Sequence, residues 1–138
     1  MFVHHWKSRV KYGQTDRMGY LYYGNYPLFY EEGRTEAIRS LGMSYKSLEE
    51  SGIIMPVKKM EMNYIRPALY DDLLTIESSI KTIDFASSDL VFETQIFNEK
   101  NKLINQGSVH LVFYDPKNRK TVPMPSALKE LLIPYFNL

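Results

Sequence analysis

The 138-residue sequence contains no cysteine. Disulfides, thiolate metal ligands and a cysteine nucleophile are therefore excluded, and a reducing compartment is the natural setting. Histidine is scarce as well. Of the 3 histidines, His4 and His5 fall in what reads as a frayed N-terminus. His110 stands alone on the polar side of the last long strand, where a lone histidine is most often structural. No His cluster is available for a metal, and no Ser–His or Cys–His pair for nucleophilic catalysis. No metal or organic cofactor is expected. A long hydrophobic run is also missing. Nothing approaches the ~18–20 apolar residues of a membrane span, and the stretch from Met1 to Arg9 has no continuous apolar core of the signal-peptide kind. Charge of one sign is not in excess: 17 Lys and Arg stand against 16 Asp and Glu, for a net charge of +1. Bulk attraction to nucleic acid or to an anionic membrane is not expected. No P-loop, G-x-G-x-x-G, G-x-S-x-G or H-E-x-x-H pattern occurs.

What the sequence does hold is apolar and aromatic bulk, 44% hydrophobic and 14% aromatic. A chain of this length hides roughly two-thirds of its unfolded surface and can sustain one core. The expectation is a cytoplasmic, soluble protein whose residues 1–138 form one domain. Period-two alternation from Trp6 to Tyr12 reads as a half-buried strand, and the three glycines between Gly13 and Gly24 read as a loop. Asn25 is a good N-cap, with Pro27 tolerated in the first turn behind it. Tyr26, Tyr30, Gly33, Ala37 and Leu41 then follow helical spacing on one face, and Gly42 suits the C-terminal cap. A glycine in mid-helix costs about 1 kcal/mol relative to alanine, so Gly33 implies close packing against another element. A short helix follows from Ser44 to Ser51. Beyond Ile53 the pattern changes to long alternating strands: Met60, Met62 and Tyr64; Leu74, Ile76 and Ile80; Leu90, Phe92, Thr94 and Ile96; Val109, Leu111 and Phe113. Their connections are short and hairpin-like, at 84–89 and 98–102, so the strands are antiparallel. A last short helix spans Ser126 to Ile133. The economical architecture is α+β, an antiparallel sheet of about five strands curled around one long helix.

The densest segment chemically runs from Tyr12 to Tyr26. It sets one carboxylate, Asp16, in a glycine-containing loop just ahead of a helix start. Free N–H groups at such a start can bind an oxyanion or polarise a carbonyl, and a nearby carboxylate can act as nucleophile or general base. On spacing alone the plainer alternative stays open, in which Thr15–Asp16 caps a turn and the tyrosines are core.

Tyr12, Thr15–Asp16, Met18–Gly19, Tyr22 and Asn25–Tyr26, followed by Arg34–Thr35–Glu36, resemble the signature of hot-dog-fold acyl-CoA thioesterases. The type is that of 4-hydroxybenzoyl-CoA thioesterase and of the thioesterases associated with the bacterial Tol–Pal system. Asn63 to Asp72 is a second match, and Gly107, Asp115 and Val122–Pro123 a weaker third. The resemblance extends from Arg9 to Pro123. It implies a hot-dog fold, hydrolysis of an acyl-CoA thioester to a free acid and CoA, and a homodimer or homotetramer with active sites at subunit interfaces. The catalytic carboxylate falls on Asp16. The amide that meets the thioester carbonyl falls on Tyr23 or Gly24, and Asn25 starts the central helix. Many Tol–Pal-type members carry histidine where this chain has Tyr23, whereas the hydroxybenzoyl branch has a tyrosine there and uses its main-chain amide. Lys58, Lys59 and Arg66, which flank the Tyr64 strand, are candidates for the CoA phosphates. Tyr22, Tyr26, Tyr30 and Tyr64 are candidates for the acyl pocket. Two alternatives keep the fold and change the role: a thioesterase whose partner is an acyl carrier protein, and a hot-dog protein that binds acyl groups without turnover.

Overall fold

The computed structural model describes residues 1–136. Five strands form one antiparallel sheet: β1 (Phe2–Arg9), β2 (Val57–Tyr64), β3 (Leu73–Ile80), β4 (Asp89–Phe97) and β5 (Leu103–Val112). Their spatial order is β1-β3-β4-β5-β2. The three C-terminal strands form a meander, and the two strands that come first in the chain are the edges. A long helix, α1 (Tyr26–Ser40), lies across one face, α2 (Tyr45–Glu50) packs beside it, and α3 (Ser126–Leu132) buries Leu128 and Leu132 in the same core. This is the α+β hot-dog arrangement that the resemblance implies. A two-residue pair, β6 (Tyr114–Asp115) with β7 (Lys120–Thr121), is too short for alternation to reveal.

The strand periods hold where the sequence alternates. Leu90, Phe92, Thr94 and Ile96 of β4 are all buried, as are Leu74 and Ile76 of β3 and Val109 and Leu111 of β5. The outer face of the same strands carries Glu77, Glu93, Gln95 and Ser108. On α1 the buried stripe is Tyr26, Phe29, Tyr30, Gly33, Arg34, Ala37 and Ile38, a helical period that faces the sheet.

The first strand begins earlier than its alternation suggests. β1 is paired with β3 from Phe2↔Ile80 to Arg9↔Leu73, so His4 and His5 belong to the sheet and not to a frayed end. The cause is Phe2, which is buried and packs edge-on against Tyr135 with ring centroids 5.0 Å apart. His5 meets Glu77 across the strands at 2.9 Å. At the other end the strand stops at Arg9, and Tyr12 opens a short 3-10 turn (Tyr12–Gln14) with its ring exposed. The start of α1 also differs in detail. Asn25 stands at the N-cap position, but its backbone is helical and its side chain makes no capping bond. Instead Asn25 Nδ2 donates to the Gln14 carbonyl at 2.8 Å. A 3-10 turn over Tyr23–Asn25 precedes the helix, so no extended residue is available to cap it. The other helix signals hold: Ser44 Oγ accepts from Ser47 N–H at 3.1 Å, and Gly42 ends α1 with φ +100°.

Gly33 is where α1 comes closest to the sheet. A Cβ built there would sit 2.5 Å from Ile76 Cγ2 and 2.9 Å from Ser78 Oγ. Both neighbours are fully buried on β3 and cannot swing away. Gly33→Ala should therefore destabilise the fold by roughly 1–3 kcal/mol through overpacking, against the gain of about 1 kcal/mol that alanine gives a free helix. Urea denaturation of the two proteins measures the sign; an alanine variant as stable as the parent would show that α1 can lift off the sheet without loss.

Candidate active site

Two segments that are far apart in sequence zip together beside the start of α1. Leu21 N–H donates to the Ala68 carbonyl at 2.8 Å, Tyr70 N–H donates to Gly19 at 3.1 Å, and Tyr20 bridges Leu69. These bonds fasten the 16–21 turn to the Arg66–Pro67–Ala68–Leu69 segment that leaves β2. An open cleft results, lined by Asp16, Met18, Tyr20, Tyr23, Tyr26, Tyr64 and Arg66, with Ile65 and Pro67 completing its wall.

Asp16 shapes its own turn. Its Oδ1 accepts from Met18 N–H at 2.9 Å and from Tyr20 N–H at 3.2 Å, while its carbonyl accepts from Gly19 N–H at 3.0 Å. Gly19 closes the turn at φ +80°, which a side chain rarely adopts. One carboxylate oxygen is thus fixed by two amides, and Oδ2 has no hydrogen-bond partner among the described residues.

Opposite Asp16 lies the 3-10 turn that leads into α1. The N–H groups of Leu21, Tyr22 and Asn25 are taken by the carbonyls of Ala68, Gln14 and Tyr22. Those of Tyr23 and Gly24 have no acceptor among the described residues, as expected for the first amides of a helix. Their direction is controlled from β2. Tyr64 Oη donates to the Tyr23 carbonyl at 3.1 Å. That carbonyl and the Gly24 N–H belong to one peptide plane and point opposite ways, so holding one aims the other. Gly24 is close-packed too: a Cβ there would lie 2.6 Å from Tyr22 Cε2. The Tyr22 ring stands over Gly24 and against Tyr23, centroids 4.6 Å apart, and does not line the cleft.

Tyr26 and Tyr30, behind the cleft, are core residues. Tyr26 is buried and meets Tyr64 edge to face at 5.3 Å. Tyr30 is fully buried and hydrogen-bonded to Asn105 Oδ1. Burial pushes both phenols above their ordinary range, so they stay neutral donors. Tyr22 is also raised, first by the neighbouring Tyr23 hydroxyl.

The cationic candidates separate. Arg66 lines the cleft and donates from Nη1 to the Leu103 carbonyl at 2.9 Å. Lys58 and Lys59 stand at the opposite end of β2, some six residues from Tyr64 and hence roughly 20 Å away along the strand. There they face Asp89 at 3.4 Å and Glu61 at 3.0 Å. Met18, Tyr20, Ile65 and Pro67 also line the cleft, although none of them is a site candidate from sequence. The signal for them was the pair of quoted motifs, which only the backbone bridges between 19–21 and 68–70 bring together.

Residues 10–132 match the Thioesterase-like superfamily. The acyl-CoA thioester hydrolase YbgC of Escherichia coli O6:H1 is 35% identical over 123 residues, which cover 89% of this chain and 90% of that protein. A crystal structure of a DHNA-CoA thioesterase from Staphylococcus aureus superposes with a TM-score of 0.83 at 29% identity, covering 99% of this chain and 85% of the other. A 4-hydroxybenzoyl CoA thioesterase mutant complexed with 4-hydroxybenzoyl CoA shares the fold, with a TM-score of 0.81 at 21% identity over 95% of this chain and 99% of the other. With the family model and the Escherichia coli relative each spanning nearly the whole length, the chain belongs to the Thioesterase-like superfamily.

Proposed function

We propose that the protein hydrolyses acyl-CoA thioesters to a free carboxylic acid and CoA, with Asp16 as the catalytic carboxylate. The observation that carries this reading is a carboxylate lining the same cleft as Tyr23, whose helix-start amide, like that of the adjoining Gly24, has no acceptor among the described residues. The thioester carbonyl would accept from the Gly24 or Tyr23 N–H, so that negative charge developing on its oxygen meets a fixed donor and the positive end of α1. Asp16 Oδ2 would act on the carbonyl carbon, either directly, giving a mixed anhydride that water then opens, or by taking a proton from the attacking water. In both routes the CoA sulfur leaves as thiolate and is protonated, and the acid departs as carboxylate. Tyr26 and Tyr64 would border the acyl group, and Arg66 the CoA side. Tyr22 and Asn25 act through position: the ring packs over Gly24, and the amide ties Gln14 to the helix start.

Both edge strands leave a row of unpaired backbone groups, and a homo-oligomer is the simplest cover for them. Antiparallel pairing of β2 with a second β2 would reverse the strand and bring the lysine end of one copy to the Tyr64 end of the other. Lys58 and Lys59 would then serve the CoA phosphates across the interface.

Asp16→Asn keeps the acceptor for Met18 and Tyr20 N–H but removes the charge. Hydrolysis of a good acyl-CoA should fall about 10²–10⁴-fold with an unchanged melting temperature. Wild-type turnover in a folded Asn variant would sink the assignment, and a panel of short, long and aromatic acyl-CoAs plus an acyl carrier protein thioester, read with a thiol dye, separates the rival roles. Tyr64→Phe frees the Tyr23 carbonyl, so kcat should drop roughly tenfold for one lost orienting hydrogen bond, while Tyr23→Phe should leave kcat almost untouched because the main-chain amide remains. The reverse order would contradict the amide's role. Light scattering at micromolar concentration should give a mass at least twice the 16.2 kDa of one chain; a monomer would refute the interface and with it the lysine contribution.

A further inference from the structure

A polar pair is sealed in the core where α1 crosses β5. Tyr30 and Asn105 are both 0% exposed, and the Tyr30 hydroxyl donates to Asn105 Oδ1. Asn105 Nδ2 is buried too and has no partner among the described residues. As a source of stability the pair is poor. One hydrogen bond contributes little net free energy to folding, and a buried donor without an acceptor costs more than that. Phenylalanine and leucine would fill the same two places without either burden, as Ile96 does beside Asn105 on β4. The location of the pair points to a different role. Asn105 stands directly opposite Tyr64 on the β5–β2 ladder. Tyr64 Oη holds the Tyr23 carbonyl at 3.1 Å, and Tyr30 follows Tyr26 on the buried face of α1. Two hydrogen bonds thus tie the helix, and the turn that leads into it, to a single rung of the sheet. One tie leaves rotation about itself; a second tie further along the helix removes that freedom. Gly107 makes room for it, since a Cβ there would lie 2.8 Å from Tyr30 Oη.

We propose, on the hydrolase reading, that Tyr30 and Asn105 are positioning residues: they fix the rotation of the helix start and so the direction in which the Gly24 amide points. Neither side chain reaches the surface of the cleft. The pair therefore adds nothing to the binding of an acyl group or of CoA, and its loss should fall on kcat and not on KM. A fixed dipole lowers a barrier only as far as it is aimed before the charge develops, so a small added freedom at this amide costs rate without unfolding anything.

The test replaces both partners at once, because Tyr30→Phe alone leaves the Asn105 amide with no partner at all. In the full-length Tyr30→Phe/Asn105→Leu protein the melting temperature should stay within about 5 °C of the parent. For the best acyl-CoA of the panel, kcat should fall about tenfold and KM should stay within roughly twofold. Adding Tyr64→Phe should slow the enzyme little further, because both ties hold the same peptide; independent effects would multiply to about a hundredfold. The Gly24 N–H resonance of isotope-labelled protein reads the amide with no substrate present. A narrow peak is expected in the parent, and a shifted or exchange-broadened one in the double variant. The proposal is overturned if the double variant keeps the parent's kcat or the parent's Gly24 resonance, or if the third substitution multiplies the loss. It is equally overturned if the double variant melts more than about 5 °C lower or does not fold, since the pair then serves stability. A Gly24 response in a parent that hydrolyses no acyl-CoA would sink the hydrolase reading and leave the aiming of the amide standing.

Discussion

The close seat of α1 on the sheet governs the geometry of the molecule. With no side chain at position 33, the helix lies directly on Ile76 and Ser78. That closeness lets the Tyr30 hydroxyl reach across to Asn105 on β5, over Gly107, whose missing Cβ leaves room for it. The helix is therefore fixed to β3 through packing and to β5 through a buried polar contact. A helix held at two points cannot slide or roll, because protein interiors are packed too densely to deform continuously. The direction of its first amides follows from that seat, and the proposed chemistry rests on those amides.

The cleft joins two parts that differ in how they are made rigid. On one side a carboxylate folds its own loop by accepting from two amides; on the other, a peptide plane is turned by a tyrosine from a neighbouring strand. Neither part relies on a long flexible side chain, and both are backbone geometries held by hydrogen bonds. Such preorganised dipoles need little rearrangement when charge develops between them, which is the condition under which they lower a barrier most. The tyrosines beneath are neutral and buried, and they keep water from the back of the site.

The fold was legible wherever one period ran undisturbed. The helix face from Tyr26 to Ala37 and the alternation on β3, β4 and β5 each bury a mainly apolar set, in which Arg34, Ser78, Thr94 and Asn105 are polar members, so the sequence pattern and the packing largely coincide. The close approach at Gly33 was legible for a different reason: a glycine in mid-helix has a known cost. Less legible were places where a long-range partner decides. β1 starts at Phe2 because Tyr135, at the far end of the chain, packs against it. Asn25 has the residue type of a cap, yet its side chain turns to Gln14 because a 3-10 turn already occupies the entry to the helix. Asp16 stood out by its setting, whereas its neighbours Ile65 and Pro67 needed the bridges to 68–70 to become a wall. The buried state of Arg34 was hidden altogether, since a charged residue at a helix position reads as a solvated one.

The strand order bears on how the chain folds. β3, β4 and β5 are joined by short hairpins, so their pairing closes only small loops. β1 and β2 reach their partners across long stretches of chain: β1 pairs with β3 some seventy residues on, and β2 with β5 about fifty residues on. Closing those loops costs more entropy, and contacts of that kind form late and slow the chain as a whole. The meander can assemble from local contacts, while α1 and both edge strands must be recruited to it. The Arg66–Leu69 wall of the cleft therefore meets the 16–21 turn only once closures of that length are complete.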